Sequence, residues 1–195
     1  MAERESVPVS HGYRVYSGSQ RVLRFVSLLY LGWYLLIAGA AVVVTIFHVL
    51  MGFEVYAAIG TVSPTREVAV ANAVIFAIDT AFNLCVAVCA WLTSNHPVIA
   101  RRFRIFAGVL VALSIVSTGY AAFFGMLANA FSGLYSIFIT GLLLYLSGQI
   151  VRDREAGIAA DFTELATTPT GKRLRTERQV ERAIAKGEIP ASPQL

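Results

Sequence analysis

FVSLLYLGWYLLIAGAAVVVTIFHVLM, residues 25–51, is an apolar run without one formally charged side chain, and its length decides the solvent in which this chain folds. About 20 predominantly apolar residues cross a hydrocarbon core roughly 30 Å thick, and this run exceeds that need. Three further stretches, residues 68–93, 105–125 and 127–150, are of comparable length and character. The four together predict an all-α, polytopic membrane protein with four transmembrane helices in an antiparallel bundle. A polar leader, residues 1–24, precedes the bundle of residues 25–150, and a basic, partly helical cytosolic tail, residues 151–195, follows it.

The positions of the cations set the orientation. Arg4, Arg14, Arg21 and Arg24 precede the first run, and Arg101, Arg102 and Arg104 separate the second from the third. Arg152, Arg154, Lys172, Arg173, Arg175, Arg178, Arg182 and Lys186 follow the fourth, so only Arg66 falls in the other set of gaps. Lys and Arg near span ends are retained in the cytoplasm. Both termini are therefore expected inside, with two short hairpin loops outside. An odd number of spans would break the alternation.

Composition agrees with a membrane solvent. The chain is 56% hydrophobic and 14% charged over 195 residues, outside the usual range of soluble globular domains. Its net charge of +4 would suit nucleic acid in a soluble protein. Here the cations cluster beside spans, where topology and an anionic leaflet already account for them. The expected partners are the lipid bilayer and a membrane-protein subunit or a second copy, not nucleic acid, and the expected location is the cell membrane. The first run follows a basic segment, as a signal peptide would, but it outlasts the roughly 7–15 apolar residues of a cleavable one, so it reads as a retained signal anchor. Cys85 and Cys89, the only cysteines, both lie within the second span, which leaves no framework for extracellular disulfides.

Between the spans, Ser63-Pro64 reads as a helix start, and Asn95-His96-Pro97 as a break, because proline disfavours helix at the preceding residue and lacks a backbone donor. The leader has no sustained period and reads as flexible. In the tail, Ile158, Phe162 and Leu165 form a helical stripe that would prolong the fourth span onto the membrane surface or against the bundle. A second short helix is expected over 172–186, ending at Gly187 with Pro190 beyond. Its apolar set of Leu174, Val180, Ala183 and Ile184 is too sparse to fold alone.

Asp79 is the one formally charged residue inside the spans. A central Asp costs about 2.5–3.5 kcal/mol on insertion scales, whereas each Leu, Ile, Phe or Val returns about 0.3–0.6. Span two alone is therefore marginal and should need its neighbours. Asn72, Asp79, Asn83 and Ala90 are spaced by 7, 4 and 7 residues, which gathers them on one helix face. Depth matching offers Ser114, Ser117 or Thr118 in span three, and Ser136 or Thr140 in span four, as hydroxyl partners for Asp79. Functionally, the group reads as a proton- or cation-exchange site; structurally, it reads as polar glue between helices. The same helix carries Ala73, Ala77, Ala81, Cys85 and Cys89 at every fourth position, a small-residue packing ridge. Ser132, Ser136 and Thr140 repeat that spacing in span four.

The three histidines, His11, His48 and His96, are too dispersed for a metal site, and no metal or cofactor is expected. His48 and Glu54 could approach each other at the outer mouth. Arg101, Arg102, Arg104, Arg152, Arg154, Lys172 and Arg173 are the cations placed to set topology or meet anionic lipid. The basic helix of the tail, where Glu177, Glu181 and Glu188 interleave, reads first as a solvated helix. No phosphate loop, HExxH, GxSxG or CxxCH motif occurs, and Asp79 has no second titratable group at its depth, so catalysis is not expected. The sequence thus supports a structural or accessory membrane subunit, with a small proton- or cation-coupled transporter using Asp79 as the alternative.

Overall fold

The computed structural model describes residues 13–51, 66–123 and 127–191, with the side chains of 44–51, 66–73, 75, 121 and 127–132 outside that description. The expected helix start at Ser63-Pro64, the approach of His48 to Glu54, and the side chains of Asn72, Ala73 and Ser132 therefore lie outside the described residues. The elements run α1 (Gly18–Met51), α2 (Arg66–Asn95), a 3₁₀ turn (Pro97–Ile99), α3 (Ala100–Phe123), α4 (Leu127–Glu155), a 3₁₀ turn (Phe162–Glu164) and α5 (Glu177–Ala185). Among the described residues there is no strand, only an antiparallel bridge between Thr167 and Arg173.

Among the described residues, three helices are long and apolar enough to cross a membrane, over Gly18–Val43, Phe76–Asn95 and Gly133–Glu155, as in a membrane protein. The helix faces follow the same solvent logic. In α1, Gln20, Leu23, Ser27 and Tyr30 recur at helical spacing and are buried, while Phe25, Leu29, Trp33, Leu35 and Leu36 are exposed. In α3, Phe103, Ala107 and Leu110 are buried, and Ile105, Val109, Leu113 and Val116 are exposed. Several small polar side chains sit inside and large apolar ones outside, the reverse of what water would impose.

The chain divides into two compact units: the described residues of Phe25–Trp91, and those of Met1–Arg24 together with Leu92–Leu195. The second contains the α3–α4 hairpin. Its antiparallel register follows from Thr118 against Gly133, Ser114 against Ser136, Gly108 against Leu144 and Arg104 against Gly148. At Gly133 the backbones come so close that an added Cβ would overlap the Thr118 hydroxyl and lie 2.9 Å from its Cβ. Close approach of this kind is the use that membrane helices make of small residues.

The helix ends are built by local chemistry. Ser17 caps α1 in a reciprocal box: its N–H donates to Gln20 Oε1 at 3.0 Å, and the Gln20 N–H donates to Ser17 Oγ at 3.3 Å. The break after α2 falls at Asn95-His96-Pro97 as the sequence indicates, with His96 outside the helical region at φ −125°, ψ 86° before the 3₁₀ turn. Helix α4 stops where Gly157 turns left-handed at φ +71°, with Ile158 N–H bonded to Asp153 O and Gly157 N–H to Arg154 O. This is a Schellman ending. It overturns the expected prolongation of the fourth span through Ile158, Phe162 and Leu165: Ile158 is exposed, Leu165 is buried, and Phe162 opens a 3₁₀ turn capped by Asp161.

The tail helix forms as expected, though it starts at Glu177, after the Thr176 cap, rather than at 172. Val180 and Ala183 of α5 are buried with Leu174 and Ile189, and Tyr13, Val15, Ala166 and Ile184 pack around them. Tyr16, Ala160 and Leu165 make a second small core with Phe162. The sparse apolar set of α5 is thus completed by residues from the leader, and residues 13–17 are packed rather than flexible.

Candidate functional site

Within the unit of residues 25–91, one polar cluster joins α1 to α2. The Tyr30 hydroxyl donates to Asn83 Oδ1 at 2.6 Å. The Asn83 amide donates to the Asp79 backbone carbonyl at 2.8 Å and to Asp79 Oδ1 at 3.2 Å. Asn83 therefore relays between a phenol on one helix and a carboxyl one turn away on its own. Tyr34 meets Tyr30 edge to face, with centroids 4.8 Å apart. Asp79 and Asn83 stand out in the sequence as polar residues in an apolar run, whereas Tyr30 carries no such mark. Its spacing from Gln20, Leu23 and Ser27 was the signal that it faces inward. Beside this cluster, Thr80 is buried, and its hydroxyl has no hydrogen-bond partner among the described residues.

The hydroxyls expected around Asp79 are engaged within the other unit. Ser114 Oγ and Ser136 Oγ are 3.1 Å apart across the α3–α4 interface. Thr118 donates to its own helix at Ser114 O, and Thr140 donates to Ser136 O, each at 2.7 Å. Ala77, Ala81, Cys85 and Cys89 of the small-residue ridge are exposed, as is Asp79.

The largest polar site is at the other end of the chain's second unit, where the leader, the turn after α2 and the tail meet. Gln20, fully buried, is its centre: its Nε2 donates to Ser94 O at 3.0 Å and to Ala160 O at 2.8 Å, and its Oε1 accepts from Ala160 N–H at 3.2 Å. Asn95 Oδ1 accepts from the Tyr16 hydroxyl at 2.7 Å and from the Arg24 guanidinium at 2.9 Å. Burial pushes the Tyr16 phenol above its ordinary value, against the pull of Arg24 and Arg175, so it stays a donor.

His96 Nδ1 lies 3.1 Å from Asp161 Oδ2. Burial raises the Asp161 carboxyl, but the Thr163 backbone N–H, the Thr163 hydroxyl and His96 together hold it below its ordinary value. At the rim, Arg14 pairs with Glu164 at 2.7 Å, the Tyr16 N–H donates to Arg175 O at 3.2 Å, and the Tyr13 hydroxyl donates to Pro190 O at 3.0 Å. Arg173 donates to Phe162 O and lies 4.0 Å from the centre of the Phe162 ring.

The seven topology or lipid cations divide by surroundings. Arg173 is held in the tail, whereas Arg101, Arg102, Arg104, Arg152, Arg154 and Lys172 are exposed. No family model, curated protein or solved structure matches this chain.

Proposed function

We propose that this chain is a multi-pass protein of the cell membrane with a structural or accessory role, built on four transmembrane helices with both termini in the cytoplasm, and that it works with a partner subunit or a second copy. The observation that carries the topology is the Gln20 junction. Residues 20, 94 and 160 are joined by hydrogen bonds, and segments bonded to one another share a compartment. The chain between Gln20 and Ser94 then crosses the bilayer an even number of times, and so does the chain between Ser94 and Ala160. That parity supports a fourth span in α3, beside the three helices of sufficient length and hydropathy. The cations around the junction support its assignment to the cytoplasmic side.

The accessory role rests on how the polar groups are used. Ser114 and Ser136 bridge α3 and α4, Tyr30 and Asn83 bridge α1 and α2, and the leader and tail make a folded body. Each arrangement holds segments together, and none converges reactive groups around a substrate. The exposed ridge of Ala77, Ala81, Cys85 and Cys89 supports close contact with another chain. Epitope-insertion mapping tests the topology, with tags at residue 2 and after residue 191 expected to be accessible only from the cytoplasm. Co-purification from mild detergent tests the role, with a stoichiometric partner or a homo-oligomer expected and a lone monomer counting against it.

The Asp79–Asn83–Tyr30 cluster favours a second reading, proton- or cation-coupled transport through Asp79. Reconstituted protein would then show flux that D79N abolishes. Wild-type-like flux in D79N removes Asp79 from any exchange step.

A further inference from the structure

We propose that the cytosolic end of the α3–α4 hairpin is a binding site for the phosphate headgroup of an anionic membrane lipid, formed by Arg101, Arg102, Arg104, Arg152 and Arg154. This rests on the membrane reading above and adds a ligand to it. The hairpin register brings these residues to one level. Arg104 lies against α4 at Gly148, its guanidinium Nε 3.5 Å from where a Cβ on that glycine would stand. One turn further toward the cytosol on each strand of the hairpin, Arg101 comes level with Arg152, because α3 begins where α4 ends.

All five arginines are exposed, and none is ion-paired among the described residues, whose ion pairs are Arg14–Glu164 and His96–Asp161. Asp153 and Glu155 are the only acids in these two turns, leaving a positive excess. Positive-inside topology accounts for cations in this gap. It does not require them to stay unpaired on adjoining helix ends, while Arg14 and Arg173 in the same unit are tied to protein acceptors.

The surroundings select a lipid over a free phosphate ion. Val98, Ile105 and Val109 are exposed beside the arginines, at 59%, 67% and 52%. A ligand with a phosphate at one end and acyl chains at the other satisfies both halves of this surface. The tail presents no such surface. The apolar side of α5 is already buried in its own core, and its outward cations Arg178, Arg182 and Lys186 alternate with Glu181 and Glu188. Attraction of about 1 kcal/mol per cation near the headgroups makes loss of three arginines worth roughly 100-fold in affinity.

The test uses the full-length protein in a neutral maltoside detergent, titrated with dioleoylphosphatidylglycerol or dioleoylphosphatidylcholine and read by native mass spectrometry. The wild-type protein is expected to retain phosphatidylglycerol at least ten-fold more tightly than phosphatidylcholine. The R101Q/R102Q/R104Q variant should lose that preference, R152Q/R154Q should weaken it, and R178Q/R182Q/K186Q should leave it within two-fold of wild type. Equal retention of the two lipids by the wild-type protein overturns the proposal whatever the variants do. Equal loss in the α5 variant overturns the assigned location, and displacement by millimolar glycerol 3-phosphate overturns the choice of lipid over free phosphate. Extraction of the wild-type chain from carbonate-washed membranes without detergent would instead strike the membrane reading itself, so the two failures are told apart.

Discussion

Gln20 is an ordinary polar residue in the sequence, yet it is the most heavily bonded side chain described, with both ends of its amide used on three separate segments. Replacing it with Leu preserves its bulk and removes every one of these bonds. A buried backbone group left unpaired costs about 1–3 kcal/mol, and Ala160 N–H and Ala160 O both rely on this amide. We expect Q20L to destabilise the junction of leader, turn and tail by at least about 2 kcal/mol, read as accelerated amide exchange at Leu92–Asn95 and Ala159–Leu165 while the α3–α4 hairpin keeps its protection. Gly133 makes the opposite kind of demand, for empty space. G133A forces Thr118 aside at a cost of about 1–3 kcal/mol, measurable as a lower unfolding midpoint in detergent. Combining it with T118G should cost less than the sum of the two single changes by about 1 kcal/mol.

The elements were legible where a local rule is strong. Four apolar runs announced the long helices, Pro97 announced the break after α2, and Gly187 with Pro190 announced the end of α5. Gly157 carries the same signal for α4, but the i, i+4, i+7 spacing of Ile158, Phe162 and Leu165 points the other way. The period was accidental: Leu165 is buried with Tyr16 and Ala160 in a packed turn, and Ile158 faces out. The segment after α4 is instead organised around Asp161, and this gives it a pH dependence. Because the folded carboxyl sits below its ordinary value near 3.9, its contribution to stability is complete above that pH and is lost as pH falls through and below it. Amide exchange over 161–166, corrected for the intrinsic rate, should rise as pH drops from 5 to 2.5. D161N should flatten that rise and start from a less protected segment at pH 5.

At the scale of the whole molecule, the least legible feature was the union of leader and tail. Residues 16, 20, 95, 160 and 175 carry no motif, and the acceptors Ser94 O, Ala160 O and Arg175 O are backbone groups that any residue could supply. The polar cluster of α1 and α2 was only half legible for a similar reason: Asp79 and Asn83 stand out as costly residues in an apolar run, but a tyrosine near the end of such a run has an easier explanation as an interfacial anchor. Truncation tests the union directly. A chain ending after Gly157 should expose the leader to trypsin at Arg14 and Arg21, while α3 and α4 resist as in the intact protein. Unchanged protection of Arg14 would mean that the leader folds without the tail.

The bond from Tyr13 to Pro190 has a consequence for synthesis. Its partners lie 177 residues apart, so this contact has to wait until residue 190 has been made, whereas Gln20 can meet Ser94 and Ala160 some thirty residues earlier in synthesis. A stop before Pro190 would remove this latch and leave the Gln20 bonds in place. Docking of the amino-terminal segment on the tail is thus a late event in the life of a nascent chain, set by the order in which its two halves emerge.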